Sequence, residues 1–207
     1  KEKYNTSFRL ASIMVNLLGL DKNKTIVDPF CGSGTFLIEG LTKKYNVVGI
    51  DIDPEMVDSA NKNVNWAVSS FKLKNNFKII RGSSANTKFN ADACVFEPYM
   101  GPFLKKMPNS LKAREIVKEL NEIYFDIFSN LNKCLVKNAR VVCILPEFKT
   151  NDQKIISINQ AVFLKNGFRL IDVSMIDKDL NLKNPISYST PDGSVINRTI
   201  NILEKIN

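Results

Sequence analysis

The sequence predicts an α/β domain with a seven-stranded, mostly parallel sheet and helices on both faces, and three observations carry that expectation. Short β-branched runs such as Thr25-Ile26-Val27 and Asn46-Val47-Val48-Gly49-Ile50 lack polar alternation, as strands buried on both faces do. Between them lie segments whose apolar residues recur at helical spacing. The chain then closes with two strands, Phe168 to Ile176 and Thr199 to Leu203, joined without a helical pattern. With 207 residues, 44% of them hydrophobic and 24% charged, one core is expected, so residues 1–207 read as a single domain.

In chain order, Phe8, Leu10, Ile13, Met14, Leu17 and Leu18 form the stripe of a first helix that Thr6 or Ser7 can cap. The first strand, Thr25 to Val27, runs into Asp28-Pro29-Phe30-Cys31-Gly32-Ser33-Gly34-Thr35, after which Phe36, Leu37, Ile38 and Leu41 mark a helix. The second strand ends at Asp51. Asp53-Pro54 opens a third helix striped by Met56, Val57, Ala60, Val64 and Ala67, on which Trp66 is expected to pack. Phe77 to Ile80 and Ala93 to Phe96 read as the third and fourth strands. A long helix follows with Ile116, Leu120, Ile123, Tyr124, Ile127 and Leu131 inward, then a strand from Arg140 to Leu145 and a helix from Gln153 to Lys165. The connection from Asp177 to Asn197, with Pro185, Pro191 and Gly193, is long enough to suggest a functional loop.

Composition narrows the chemistry. There is no histidine, which removes a histidine general base and histidine metal ligands. The four cysteines show no C-x-x-C spacing, and three lie in or beside apolar runs, as buried reduced thiols of a cytoplasmic protein do. No run approaches the roughly 20 apolar residues of a membrane helix, so no membrane partner is expected. The formal charge of +8 favours a polyanionic partner.

The glycine turn between the first strand and helix is a cradle, because glycine lets the backbone approach a ligand and the helix N-terminus offers free N–H groups. It is not a dinucleotide fingerprint, since Leu37 stands where the third glycine belongs, and no Gly-Lys-Ser/Thr phosphate loop occurs anywhere. Asp51 ends the second strand 23 residues after Asp28, where an acid binds ribose hydroxyls in doubly wound folds. A ribose without a pyrophosphate suggests S-adenosylmethionine. Together, Asp28 to Thr35 and Val47-Val48-Gly49-Ile50-Asp51-Ile52-Asp53 resemble the cofactor motifs of class I S-adenosylmethionine-dependent methyltransferases, Rossmann-like enzymes of which one group modifies exocyclic amines of nucleic-acid bases. The resemblance implies an antiparallel last strand, and a cofactor site built from Asp28, Phe30, Gly32, Gly34, Thr35, Asp51, Ile52, Ser84 and Ala85. Asp28 would meet the cofactor's amino group, or alternatively cap the turn. Gly82-Ser83-Ser84-Ala85 stands where many relatives carry an acid for the adenine amine, so charge assistance is lost there.

Amine methyltransferases carry Asp/Asn-Pro-Pro-Tyr/Phe at the end of the fourth strand. There a side-chain oxygen and a backbone carbonyl accept the amine hydrogens, and an aromatic ring stacks on a base brought out of its helix. This chain has Glu97-Pro98-Tyr99 instead, with a carboxylate one methylene longer and Tyr99 in the place of the second proline. With Met100-Gly101-Pro102, Pro146-Glu147-Phe148-Lys149-Thr150 and Tyr188-Ser189-Thr190-Pro191-Asp192, the chain resembles the catalytic domain of the THUMP-associated tRNA guanine-N2 methyltransferases of the guanosine-10 type. That implies Glu97, Pro98 and Tyr99 as catalytic residues, tRNA as partner, and an N-terminal RNA-binding THUMP domain outside residues 1–207. It also implies that the first helix closes over the methionine end of the cofactor, although packing on the sheet explains that helix equally well. Some relatives of this type bind a small zinc-binding activator subunit. Lys105 and Lys106 are positioned to meet RNA phosphates or simply to be solvated, and Lys178 and Lys183 invite the same reading. Two alternatives stay open: a DNA adenine-N6 or cytosine-N4 methyltransferase, and a catalytically silent methyltransferase fold that binds RNA or a protein partner. Carbon-5 methylation is disfavoured because Cys94 lies inside the strand rather than at its end.

Overall fold

The computed structural model describes residues 6–176, 179, 183–188 and 195–206. Helix α1 (Phe8–Asn16) begins at Ser7, whose hydroxyl accepts the Leu10 N–H at 3.3 Å. Then follow β1 (Thr25–Asp28), α2 (Thr35–Thr42), β2 (Asn46–Asp51), α3 (Pro54–Phe71), β3 (Phe77–Arg81) and β4 (Ala91–Phe96). The second half comprises α4 (Ser110–Cys134), β5 (Leu135–Lys149), β6 (Ile155–Ser157), α5 (Ala161–Leu164), β7 (Phe168–Leu170), a 3-10 turn (Val173–Met175), β8 (Ile186–Tyr188) and β9 (Ile196–Lys205).

Seven of these strands form one continuous path in the order β3-β2-β1-β4-β5-β9-β7. Strands β1 to β5 pair parallel, and β9 enters antiparallel between β5 and β7. The chain builds outward from β1 in both directions, to β2 on one side and β4 on the other. The crevice beyond the carboxyl ends of β1 and β4 is therefore the topological switch point at which such sheets bind ligands.

Two helical layers sandwich the sheet. On one face, Leu10, Met14 and Leu18 meet Phe36, Leu37 and Leu41 of α2 and Ala60 and Val64 of α3. On the other, Ile116, Leu120, Tyr124 and Phe128 of α4 pack with Phe96, Phe163 and Phe168. Both apolar layers exclude water from β1 and β4, so the polar groups at their ends are held by a rigid frame.

The structure departs from the sequence expectations in several places. Two short strands, β6 and β8, add to the expected seven by pairing with β5 and β9. Strand β5 is 15 residues long because it continues past its parallel partner β4 and keeps pairing with β9 as far as Phe148↔Ile196. The helix expected over Gln153 to Lys165 shrinks to α5. Its first third is β6, where β-branched Ile155 and Ile156 fold back on Lys149 and Phe148, and Asn159 turns the chain by accepting the Ala161 N–H. The strand expected to reach Ile176 stops at Leu170, because Asp172 caps the 3-10 turn through the Ser174 N–H. Trp66, expected to pack on the body of the fold, is 62% exposed and stands edge-to-face with Phe71, ring centroids 5.6 Å apart. Phe8, Ile13 and Ile123, expected on buried stripes, are also exposed. Lys178 and Ser189-Thr190-Pro191-Asp192 lie outside the described residues.

Candidate active site

Asp28 closes β1 and is 1% exposed. Its Oδ1 accepts the Phe30 N–H at 2.9 Å, while Oδ2 is the one buried side-chain polar atom among the described residues without a partner. Burial pushes the carboxyl well above its ordinary value. The Phe30 N–H opposes that shift, and the charges of Asp51 and Glu97 add to it. An isolated acceptor among three carboxylates is matched by a ligand that brings a cation and N–H donors, such as an α-ammonium group.

Asp51 ties the cradle to β2: its Oδ2 accepts the Gly32 N–H at 2.8 Å and its Oδ1 the Asp53 N–H at 3.0 Å. Each oxygen keeps a lone pair for a ribose hydroxyl. The turn is closed by Cys31 N–H to Ile50 O at 2.9 Å and Gly34 N–H to Cys31 O at 2.7 Å. Its two glycines have different duties. Gly32 (φ 49°) faces open space, where an added Cβ would meet only the Phe30 carbonyl at 4.0 Å, so this backbone is free to be approached. Gly34 (φ 92°) caps α2, and a Cβ there would press on Val64 at 3.3 Å, so it serves packing against α3.

Thr35 begins α2 beside this turn, half-buried, and Phe30 rests on Phe96 with ring centroids 5.7 Å apart. Ile52 is 71% exposed after β2, an apolar shelf suited to the face of a purine. Ser84 is buried, with its hydroxyl donating to the Pro29 carbonyl and its own carbonyl accepting from Asn130 Nδ2 at 2.9 Å. It thereby fixes the loop after β3 against the cradle. The Ala85 N–H turns inward to Ser83 Oγ at 3.3 Å.

Glu97 follows β4 directly. Its Oε1 receives Nε of Arg198 at 2.9 Å, and its Oε2 receives the hydroxyl of Thr6 at 2.6 Å. Pro98 is buried, Tyr99 is 54% exposed, and the Tyr99 carbonyl accepts from Tyr124 Oη of α4 at 2.6 Å. Gly101 (φ 97°) lets this turn lie on Ile116 and Phe148, which a Cβ would meet at 3.1 and 3.4 Å. Beyond it, Lys105 and Lys106 are exposed beside exposed Phe103 and Met107, and Lys183 is exposed before β8. In the stretch from Pro146 to Thr150, Phe148 and Thr150 are buried and Glu147 accepts from Ser157, so that motif serves the β5–β6 hairpin.

The sequence reading missed Arg198 and Thr6. The signal for Arg198 is a charged residue just before the strand pattern of Ile200, Ile202 and Leu203, since a charge on a central strand needs a partner. Thr6 was seen only as a helix cap, the role that Ser7 fills. Among the described residues no group of three or more histidine, cysteine or acidic side chains could hold a metal, and no helix is long and apolar enough to cross a membrane. A surface cleft between α4 and α5, lined by Asn121, Phe125, Asn159 and Lys165 among others, shares no residue with this site.

Known proteins match both the sequence and the fold. A relative named tRNA (guanine(10)-N2)-dimethyltransferase, from Methanothermobacter thermautotrophicus, is 27% identical over 143 residues, covering 68% of this chain and 38% of its own length. A probable tRNA (guanine(10)-N2)-dimethyltransferase of Methanothermococcus thermolithotrophicus is 45% identical over 144 residues, covering 65% of this chain and 77% of its own. The chain therefore spans well under half of the first relative and about three quarters of the second. Among solved structures, TrmN from Thermus thermophilus superposes with a TM-score of 0.62 at 19% identity, over 97% of this chain and 49% of that one. Further solved chains of this fold hold S-adenosylmethionine or S-adenosylhomocysteine. The UPF0020 family, described as an RMKL-like methyltransferase domain, matches residues 5–155, and the chain belongs to that family.

Proposed function

We propose that residues 1–207 act as the catalytic domain of an S-adenosylmethionine-dependent methyltransferase that methylates the exocyclic N2 amine of a guanosine in tRNA. The observation that carries this reading is the placement of two carboxylates at the ends of paired strands. Asp28 ends β1 with an orphaned oxygen, and Glu97 follows β4, the neighbour of β1 at the switch point. The first suits a cationic cofactor, and the second suits an amine that must be held with its lone pair aimed at a methyl donor.

S-adenosylmethionine, when bound, supplies an electrophilic methyl group on a sulfonium. The chain's own residues do the rest. Asp28 receives the ammonium, Asp51 the ribose hydroxyls, and Ile52 carries the adenine face. Gly32 gives the backbone room to approach, with Phe30, Gly34, Thr35, Ser84 and Ala85 shaping the wall. Glu97 accepts the amine hydrogens, and accepting them weakens the conjugation of the nitrogen lone pair with the ring. Tyr99, exposed beside Glu97, stacks on the extruded base. The buried Pro98 and the Tyr124 bond to the Tyr99 carbonyl fix the turn on which both act. Lys105 and Lys106 meet the flanking phosphates.

Support for tRNA comes from the names of the two relatives and from the charge of +8. We place the reaction in the cytoplasm, in keeping with four buried free cysteines. A small zinc-binding activator remains a separate expectation, tested by whether such a subunit raises turnover.

The test is nucleoside analysis of tRNA and DNA after incubation with the full-length protein and labelled S-adenosylmethionine. N2-methylated guanosine in tRNA is expected, and Glu97→Ala should abolish it while leaving cofactor affinity nearly unchanged. Methylated adenine or cytosine in DNA would contradict the reading, and unaltered turnover in the variant would remove Glu97 from the mechanism.

A further inference from the structure

The Glu97–Arg198 pair offers more than the acceptor that amine methylation requires. Strand β9 runs antiparallel to β5, and the pairing Pro146↔Arg198 carries Arg198 to the C-terminal end of β5. Strand β5 in turn neighbours β4, whose end delivers Glu97. Both side chains are partly open to solvent, Arg198 at 29% and Glu97 at 13%. Among the described residues the guanidinium bonds Glu97 Oε1 through Nε, and its Nη1 and Nη2 donors have no partner there.

The Watson–Crick edge of guanine carries, in order, an N2–H donor, an N1–H donor and the O6 acceptor. A carboxylate flanked on one side by a guanidinium presents the complementary order. With N2 set against Oε2, the oxygen that meets Thr6, N1 would fall at Oε1, which meets Arg198, and O6 would fall on the guanidinium side. Each carboxylate oxygen uses one lone pair within the protein and keeps another for the base. We infer that Arg198 is a specificity residue that donates a hydrogen bond to O6 of the target guanine while Glu97 takes its N1–H and N2–H. This rests on the guanosine reading above and deepens it, because it assigns the group that tells guanine from a base lacking the carbonyl oxygen.

Replacing O6 by sulfur tests this, since 6-thioguanine keeps N1–H and N2–H and exchanges the strong acceptor for a weaker and larger one, so the change of the preference in Arg198 variants carries the test. The full-length protein is assayed on tRNA carrying guanosine or 6-thioguanosine at the methylated position. The wild type is expected to prefer guanosine by about 10- to 100-fold in kcat/KM, the range for losing a hydrogen bond to a charged group in a fitted site. Arg198→Met is expected to slow both substrates and bring the ratio near one, and Arg198→Lys to restore part of the preference. A residue that only props Glu97 in place would slow both substrates equally and leave the ratio unchanged, so an unchanged ratio in the folded Arg198→Met protein overturns the inference. A wild type that does not discriminate also overturns it. A wild type that methylates no guanosine overturns instead the functional reading on which the inference stands.

Discussion

Asp28→Asn separates what the folded chain needs from what the cofactor needs. In the wild type, Oδ2 of Asp28 is buried without a partner among the described residues, and burial, with the charges of Asp51 and Glu97 added, disfavours ionisation. The asparagine keeps an oxygen for the Phe30 N–H and removes the buried charge. The amide nitrogen takes over the position that has no partner among the described residues, so what the variant relieves is the cost of holding a charge there beside Asp51 and Glu97. Recovering even about 1 kcal/mol of that raises Tm by roughly 2–4 °C in a chain of this size. The pH dependence has a fixed sign. The native carboxyl binds its proton more tightly than the unfolded one, whose value is near 3.8, so this group's contribution to stability falls as pH rises through the raised native value. The asparagine's advantage should therefore be small in acid and grow as pH rises through the native value. Binding moves the opposite way: losing a charge-assisted bond to the ammonium costs about 1.5–3 kcal/mol, or roughly 10- to 100-fold in affinity. The assay is a set of thermal melts at several pH values, with and without saturating S-adenosylmethionine. The variant should melt higher when empty and gain far less from the cofactor. A variant whose melting temperature does not gain on the wild type as pH rises, or that gains as much from the cofactor as the wild type, would refute the assignment of Asp28.

Two further outcomes follow from the same geometry. Gly32→Ala places a Cβ in the open cradle from a left-handed backbone. It should cost about 1 kcal/mol of stability and, disproportionately, most of the cofactor affinity, as read by melts and calorimetry; equal binding would move the cofactor away from this turn. Tyr124→Phe removes the 2.6 Å bond to the Tyr99 carbonyl and should lower stability by about 1 kcal/mol, with a fall in kcat and little change in cofactor affinity; unchanged turnover would mean that the Glu97 turn needs no support from α4.

The central sheet and the cradle were legible because their signals are local. The apolar runs of β1 and β2, the glycines of the turn, Asp53-Pro54 at the start of α3 and the acids at strand ends are each written within a few consecutive residues. The second half was less legible because pairing between distant segments decides it. The extension of β5 exists because β9, some fifty residues later, supplies hydrogen-bond partners as far as Ile196. That partner also holds β5 straight through Pro146, and the hairpin to β6 then overrides helical spacing in Gln153 to Lys165. The Glu97 site shows the same limit. Its position followed from the strand pattern, but Thr6 and Arg198 lie 91 residues before it and 101 residues after it, and only the folded sheet brings them to one carboxylate.

The most direct test of the account is a calorimetric titration of this chain with S-adenosylmethionine and, separately, S-adenosylhomocysteine, alongside Asp51→Ala. One saturable site for each ligand is expected, weakened in the variant, because Asp51 holds Gly32 and is proposed to take the ribose hydroxyls. A folded wild-type chain that binds neither ligand would contradict it, and would leave the fold as a scaffold for RNA or a protein partner.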